Sequence, residues 1–223
     1  MEKDMTINNE KLWEDINSND LKKICKALSN ISSIGFRTPN NILTFIPKLR
    51  ELLFYKNNEV VYKCLWALGQ VGNKRPDYVK DIVPYIYEKL NSKDKKVRCN
   101  SLWALGRIGR ADIDLVEGYI DKIIEYSSDE EAEVRMNFIW ACENIATVKP
   151  EIFKNYINVF IKLLYDEDIK FVRREAPEIF RVIGKRNPRL VQSAIPRLTE
   201  LLSDNDEVVQ IHSKGALKYI KNY

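Results

Sequence analysis

The chain has 223 residues, with 36 Lys and Arg against 32 Asp and Glu, four cysteines and one histidine. A net charge of +4 is too small to imply a nucleic-acid surface by itself. A lone histidine argues against a histidine-based metal site, and no apolar run reaches the roughly 18 to 20 residues of a membrane span.

The opening stretch, residues 1–20, is polar and acidic and does not read as a signal peptide. A degenerate first repeat follows at 20–35, with Ile24, Leu28, Ile31, Ile34 and Gly35 in register with later copies. The segments "IPKLRELL", "VPYIYEKL" and "IPRLTELL" place Pro47, Pro84 and Pro196 at the head of short amphipathic helices. "IDKIIEYS" and "NVFIKLLY" fill the same slots without proline. After each comes a polar, mostly acidic turn such as "SKDKK", "SDEEAE", "DEDIK" and "SDNDE", suited to capping the next helix. That second helix starts near an anchor valine: Val60, Val97, Val134, Val172 and Val209, at steps of 37, 37, 38 and 37. It ends at a small residue twelve positions on: Gly72, Gly109, Ala146 and Gly184, with Lys221 breaking the series. A glycine there reads as a helix stop, and small residues on the flank let neighbouring helices approach. The period and the paired helices give an all-α, right-handed α–α superhelix of about six helix pairs. It is read as a single domain over 1–223 with a continuous core. Cys25, Cys64, Cys99 and Cys142 lie inside apolar helical patterns without CxxC spacing. They read as reduced thiols in a cytoplasmic protein.

Six residues past the first three anchors stand Trp66, Trp103 and Trp140. At 100° per residue they fall about 240° from the anchor, while the apolar face centres near 30–60°. They are therefore expected on the exposed face of the second helices. A strongly curved stack would instead tuck the rings against the next second helix. One turn further on come Gln70, Arg107 and Asn144, and three residues before come Lys63, Asn100 and Asn137. Indole faces and amides of this kind can hold an extended chain by main chain and side chain. In the fifth repeat the slots become Glu175 and Glu178, with Glu143 on the previous rung, where the basic end of a ligand could lie. A solvated acidic face is the plainer reading.

The pattern P-x-L-x-x-L-L, acidic turn, V-R, A-L-G-x-I-G resembles HEAT repeats, with "VRCNSLWALGRIG" (97–109) the nearest copy and the likeness running over residues 20–221. Repeat five departs from it with Pro177 inside the second helix, and repeat six with Gly215. The resemblance implies that second helices line the concave surface. It also implies that Arg98, Arg135 and Arg173 pair with turn aspartates, for which Asp94, Asp129 and Asp168 are near enough. The tryptophans also resemble the tryptophan/asparagine ladder of importin alpha, an armadillo protein that binds basic peptides. Only Trp140/Asn144 matches both residues, while Trp66/Gln70 and Trp103/Arg107 depart. Arg107 would repel a lysine-rich ligand.

The expected function is a non-catalytic scaffold that binds an extended peptide or protein segment. Its site is Trp66, Trp103, Trp140, Gln70, Asn100, Arg107, Asn137, Asn144, Glu175 and Glu178. It has no catalytic residues, no metal and no cofactor, and its partner is a protein rather than a membrane. The alternative is nucleic-acid binding along a basic edge. That edge would comprise Lys74, Arg75, Arg107, Arg110, Lys149, Lys185, Arg186 and Arg189, in a HEAT-like protein related to DNA repair, with Glu143 or Glu178 as the acid. Other enzyme readings lack their residues: the HEAT-like deoxyhypusine hydroxylase needs several histidines, and phosphate-loop, dinucleotide and Ser/His/Asp motifs are absent. His212 reads as a surface residue.

Overall fold

The computed structural model describes residues 9–220, and Lys221 and the first eight residues lie outside them. The helices come in pairs. They are α1 (Asn9–Ile16) and α2 (Leu21–Arg37), α3 (Ile46–Leu52) and α4 (Asn58–Gly72), α5 (Val83–Glu88) and α6 (Lys95–Ala111), α7 (Ile120–Glu125) and α8 (Ala132–Ala146), α9 (Ile157–Leu163) and α10 (Ala176–Arg186), and α11 (Ile195–Glu200) and α12 (Glu207–Ile220). Prolines open α3, α5 and α11 in their first turn, where a missing N–H costs nothing. The turns cap the second helices as their composition requires. Asn57 accepts from the Glu59 and Val60 N–H groups, Asp94 from Lys96 and Val97, and Asp206 from Val208 and Val209.

One apolar core runs the length of the stack, from Leu12 in α1 to Ile220 in α12. The second helices α2, α4, α6, α8, α10 and α12 pack in sequence against one another. The first helices are bridged by longer side chains: the Phe54 and Tyr85 rings are 5.5 Å apart, and Tyr87 and Tyr119 4.4 Å. The second helices form one layer of the stack, the inner layer in the repeat arrangement that the sequence resembles.

The repeating glycines allow the close approach expected of small residues there, and α4 and α8 end at Gly72 and Ala146, but the expected glycine caps are absent. Among the described residues no glycine has a positive φ. α6 runs past Gly109 to Ala111, and α10 past Gly184 to Arg186. These positions are therefore not left-handed helix caps. A methyl on Gly72 would lie 2.5 Å from Ile108 Cγ1, and one on Gly109 or Gly184 3.0 Å from Ile145 or Ile220. Each accepts the branched side chain that stands one residue earlier in the next repeat.

The arginines do stitch the repeats, through Asp129 as expected and through Asp166 and Asp204 in place of Asp94 and Asp168. Arg98 pairs with Asp129 at 2.8 Å, Arg135 with Asp166 at 2.8 Å and Arg173 with Asp204 at 3.1 Å. Arg98 also donates to the Ser92 carbonyl and Arg135 to the Asp129 carbonyl, so each guanidinium bridges its own turn and the next. Asp94 and Asp168 make no such pair because their carboxylates cap helical N–H groups.

Pro177 leaves its mark on repeat five. The chain makes a wide turn at Ile169–Arg173, with the Arg173 N–H bonded to the Asp168 carbonyl five residues back, and α10 begins afresh at Ala176. Proline in a helix interior would remove a bond and clash with the preceding turn; here it stands in the first turn of α10. His212, expected at the surface, is half-buried, with Nδ1 2.6 Å from the Arg174 carbonyl beside this turn.

Candidate binding face

The inner face is built from positions three, six, nine and ten past each anchor. In α4 and α6 the sixth position carries tryptophan and the ninth glycine. The rings of Trp66 and Trp103 stack at 3.8 Å with 14° between their planes. The Trp103 ring lies directly on Gly69, where an added methyl would sit 2.8 Å from Cε3 and closer still to Cζ3. Stacking at van der Waals thickness leaves no gap between these two rings. Trp66 remains 41% exposed, and Trp103 is half-buried and packs against the core. The Trp103 ring is thus tucked against the preceding second helix. Between α6 and α8 the approach is tighter still: a methyl on Gly106 would lie 2.6 Å from Ala141 Cα.

The amides are partly committed to their own helices. Asn100, Asn137 and Asn144 each donate one Nδ2–H to the carbonyl four residues back, on Lys96, Glu133 and Trp140. Gln70 is buried and accepts from Arg107 Nη2 at 3.2 Å. The Arg107 guanidinium lies 5.4 Å from the centroid of Trp103, with Nε buried and unpaired. Burial, and secondarily Arg110, lowers its proton affinity.

In repeats four and five the same positions carry acid. Trp140 is half-buried and donates Nε1–H to Glu175 at 3.1 Å. Glu178 accepts from Arg181 Nε at 2.6 Å and pairs with its Nη2. The ninth position of α8, glycine in α4 and α6, is Glu143. Its Oε1 is buried and has no hydrogen-bond partner. Burial first, then the nearby Glu178 and Glu175, push this carboxyl well above the usual range, against the opposing pull of Arg181. Three carboxyl groups and one guanidinium therefore share a partly dry corner beside an indole. Glu143 was legible as a neighbouring acid. Its lack of a partner was not, because that depends on Arg181 being drawn to Glu178.

The structure brings together Trp66, Gln70, Trp103 and Arg107 in one cluster, and Trp140, Glu175, Glu178 and Glu143 in another. Asn100 lines a depression of about 340 Å³ with Leu28, Ser29, Ser32, Tyr62, Lys63 and Trp66. Sequence reasoning missed this feature, although the small residues Ser29 and Ser32 opposite Trp66 were its signal. The basic edge is partly neutralised: Arg75 pairs with Asp77 at 2.9 Å, Lys149 pairs with Glu117 at 2.8 Å, and Lys185 lies 5.0 Å from the Tyr219 ring. Among the described residues no His/Cys/Asp/Glu group has the geometry to hold a metal ion, and no helix is long and apolar enough to cross a membrane.

Residues 58–108 match the family model for a HEAT-like repeat. Among solved structures, an engineered protein shares 25% identity at a TM-score of 0.74, over 97% of this chain and 99% of the other. A designed armadillo repeat protein in complex with the peptide (KR)4 shares 21% identity at a TM-score of 0.72, over 94% and 98% of the two chains. Kap121p shares 19% identity at a TM-score of 0.78, with 96% of this chain superposing on 23% of its length. No curated protein sequence matches. The chain carries a HEAT-like repeat and has the all-helical solenoid fold of armadillo and HEAT proteins.

Proposed function

We propose that this chain is a non-catalytic scaffold that holds an extended polypeptide segment along the inner face of its second helices, with a basic residue of that segment seated at Glu143, Glu175 and Glu178. The observation that carries this reading is the buried, unpaired Glu143 oxygen beside two further carboxyls and the Trp140 indole. A buried acceptor without a donor costs about 1–3 kcal/mol. A lysine or arginine head group would supply that donor and offset the mutual repulsion of the carboxyls. The remaining amide capacity of Asn100, Asn137 and Asn144 would meet the main chain of the segment. Trp66, Trp103 and Gln70 would form the floor of the groove, with Arg107 excluding a basic residue from its own rung. The likeness to a designed armadillo repeat protein in complex with the peptide (KR)4 supports peptide binding by this fold.

The test is fluorescence anisotropy with labelled (KR)4, labelled (DE)4 and a labelled DNA duplex. Binding of (KR)4 at about micromolar affinity, weakened tenfold or more by E143Q/E175Q/E178Q, is the expected result. Binding of the duplex alone, falling steeply with salt and abolished by changes at Lys74, Arg75, Lys185 and Arg186, would establish the nucleic-acid reading instead.

A further inference from the structure

The aromatic stack on the inner face stops at Trp66 for a reason visible in the repeat register. Gly35 in α2 packs on Val71 at 3.2 Å, as Gly72 packs on Ile108 and Gly109 on Ile145. Gly35 is therefore the equivalent of Gly72, and counting back six residues puts Ser29 in the slot held by Trp66, Trp103 and Trp140. Trp103 covers one face of Trp66. The other face looks toward α2, where a hydroxymethyl stands in place of a ring. The depression of about 340 Å³ that results has an apolar floor from Leu28 and Trp66 and small walls from Ser29 and Ser32.

Its polar groups are donors in excess. Lys63 Nζ reaches Ser29 Oγ at 3.3 Å, and its nearest carboxylate among the described residues is Glu59 at 4.0 Å, at the limit of an ion pair. The Ser29 hydroxyl is already given to the Cys25 carbonyl. Asn100 and Tyr62 complete the rim. An indole face with a lysine beside it fits a flat ring bearing a negative acceptor.

We infer that this depression is a second anchor, which takes a planar aromatic side chain of the bound segment, stacked on Trp66 as a third ring, with an adjoining carboxylate on Lys63. It rests on the groove reading only for the source of the ring. The two anchors give the segment a polarity: an aromatic and acidic end over α2 and α4, and a basic end over α8 and α10. Helices about 10 Å apart place these ends roughly six to nine extended residues apart.

The probe is phenylacetate, titrated into the ¹⁵N-labelled full chain while the indole Nε1–H signals are followed, with Trp66 identified by W66F. Saturable movement of the Trp66 signal at about millimolar affinity is expected, with little response to benzylamine and a weaker one to cyclohexylacetate. K63A is expected to weaken binding about fivefold, the size of a half-exposed charge pair. S29W, which puts a ring in the exposed slot, is expected to abolish it while the chain remains folded. An unmoved Trp66 signal, an equal response to benzylamine, or undiminished binding by S29W would each overturn the inference. The titration needs no peptide. Binding of phenylacetate without (KR)4 would sink the groove reading and keep the pocket, and the reverse would sink the pocket alone.

Discussion

Between α4 and α6 the ninth residue past the anchor is Gly69, and the Trp103 ring lies on it. Between α8 and α10 the same position is Glu143, and it meets Glu178 and Glu175. The turn edge repeats along the stack: an arginine reaches the next aspartate at 2.8 Å between α6 and α8 and again between α8 and α10, while between α4 and α6 Asn58 donates to Asp94 at 3.1 Å. The faces nonetheless do opposite things. The first is closed ring on ring between Trp66 and Trp103, with the Arg107 Nε beside it unpaired. The second keeps carboxyl groups together beside an indole and leaves one oxygen unpaired. A repeat scaffold can thus keep its helix-on-helix packing while a single column of residues changes from stacked rings to clustered carboxyls.

That contrast sets an order of expected effects. The largest belong to the repeating turn edge, where the two arginine joints must behave alike. Arg98→Ala and Arg135→Ala each strand a buried carboxylate and are expected to cost about 3 kcal/mol in urea denaturation. A large difference between them would mean that the α6–α8 and α8–α10 joints are not held alike. Next comes Gly106→Ala at the α6–α8 joint between the two regions. Helix propensity favours alanine by up to about 1 kcal/mol, yet the new methyl meets the Ala141 backbone at 2.6 Å. A net loss of about 1–2 kcal/mol is expected, and a gain would show that the two helices can move apart.

The open half should respond with the other sign. The folded-state carboxyl of Glu143 holds its proton above the range of an unfolded glutamate. Its contribution is therefore fully present below about pH 4 and is lost as pH rises through the elevated folded value. Glu143→Gln is expected to match the parent near pH 4 and to exceed its stability by about 1 kcal/mol at pH 8. Equal stability across that range would place Glu143 in ordinary solvent. The smallest effect is that of Trp140→Phe, which loses one hydrogen bond to Glu175 and is expected to change stability by about 1 kcal/mol or less.

Much of the frame was legible because a period of about 37 residues is a one-dimensional signal, and it fixed the helix pairs, the caps and the inner layer. What escaped was anything that needs the neighbouring repeat in three dimensions. Small residues near a helix end announce a close approach, but only the Ile108 side chain against Gly72 shows which atom fills the notch. Arg98 was assigned an aspartate set that includes its own turn, but Asp94 is consumed by capping, and the long guanidinium spans to Asp129. The helical wheel placed Trp66, Trp103 and Trp140 away from their own helix's core. It carried no information on the 3.8 Å stack, which is set by the spacing between repeats. The acid of repeat five was visible, whereas the bare oxygen of Glu143 and the depression beside Trp66 were not, since each arises from what a neighbour lacks.

The central claim is that a basic residue of a bound segment sits in the carboxyl corner beside Trp140. Following the four indole Nε1–H signals of the ¹⁵N-labelled chain during titration with (KR)4 tests it directly, because Trp140 alone among them donates to a glutamate of that corner. The account predicts that the Trp140 signal moves most, that Trp103 stays nearly fixed within its stack, and that E143Q/E175Q/E178Q suppresses the movement. Binding of the peptide with an unmoved Trp140 signal, or no binding at all, would contradict it.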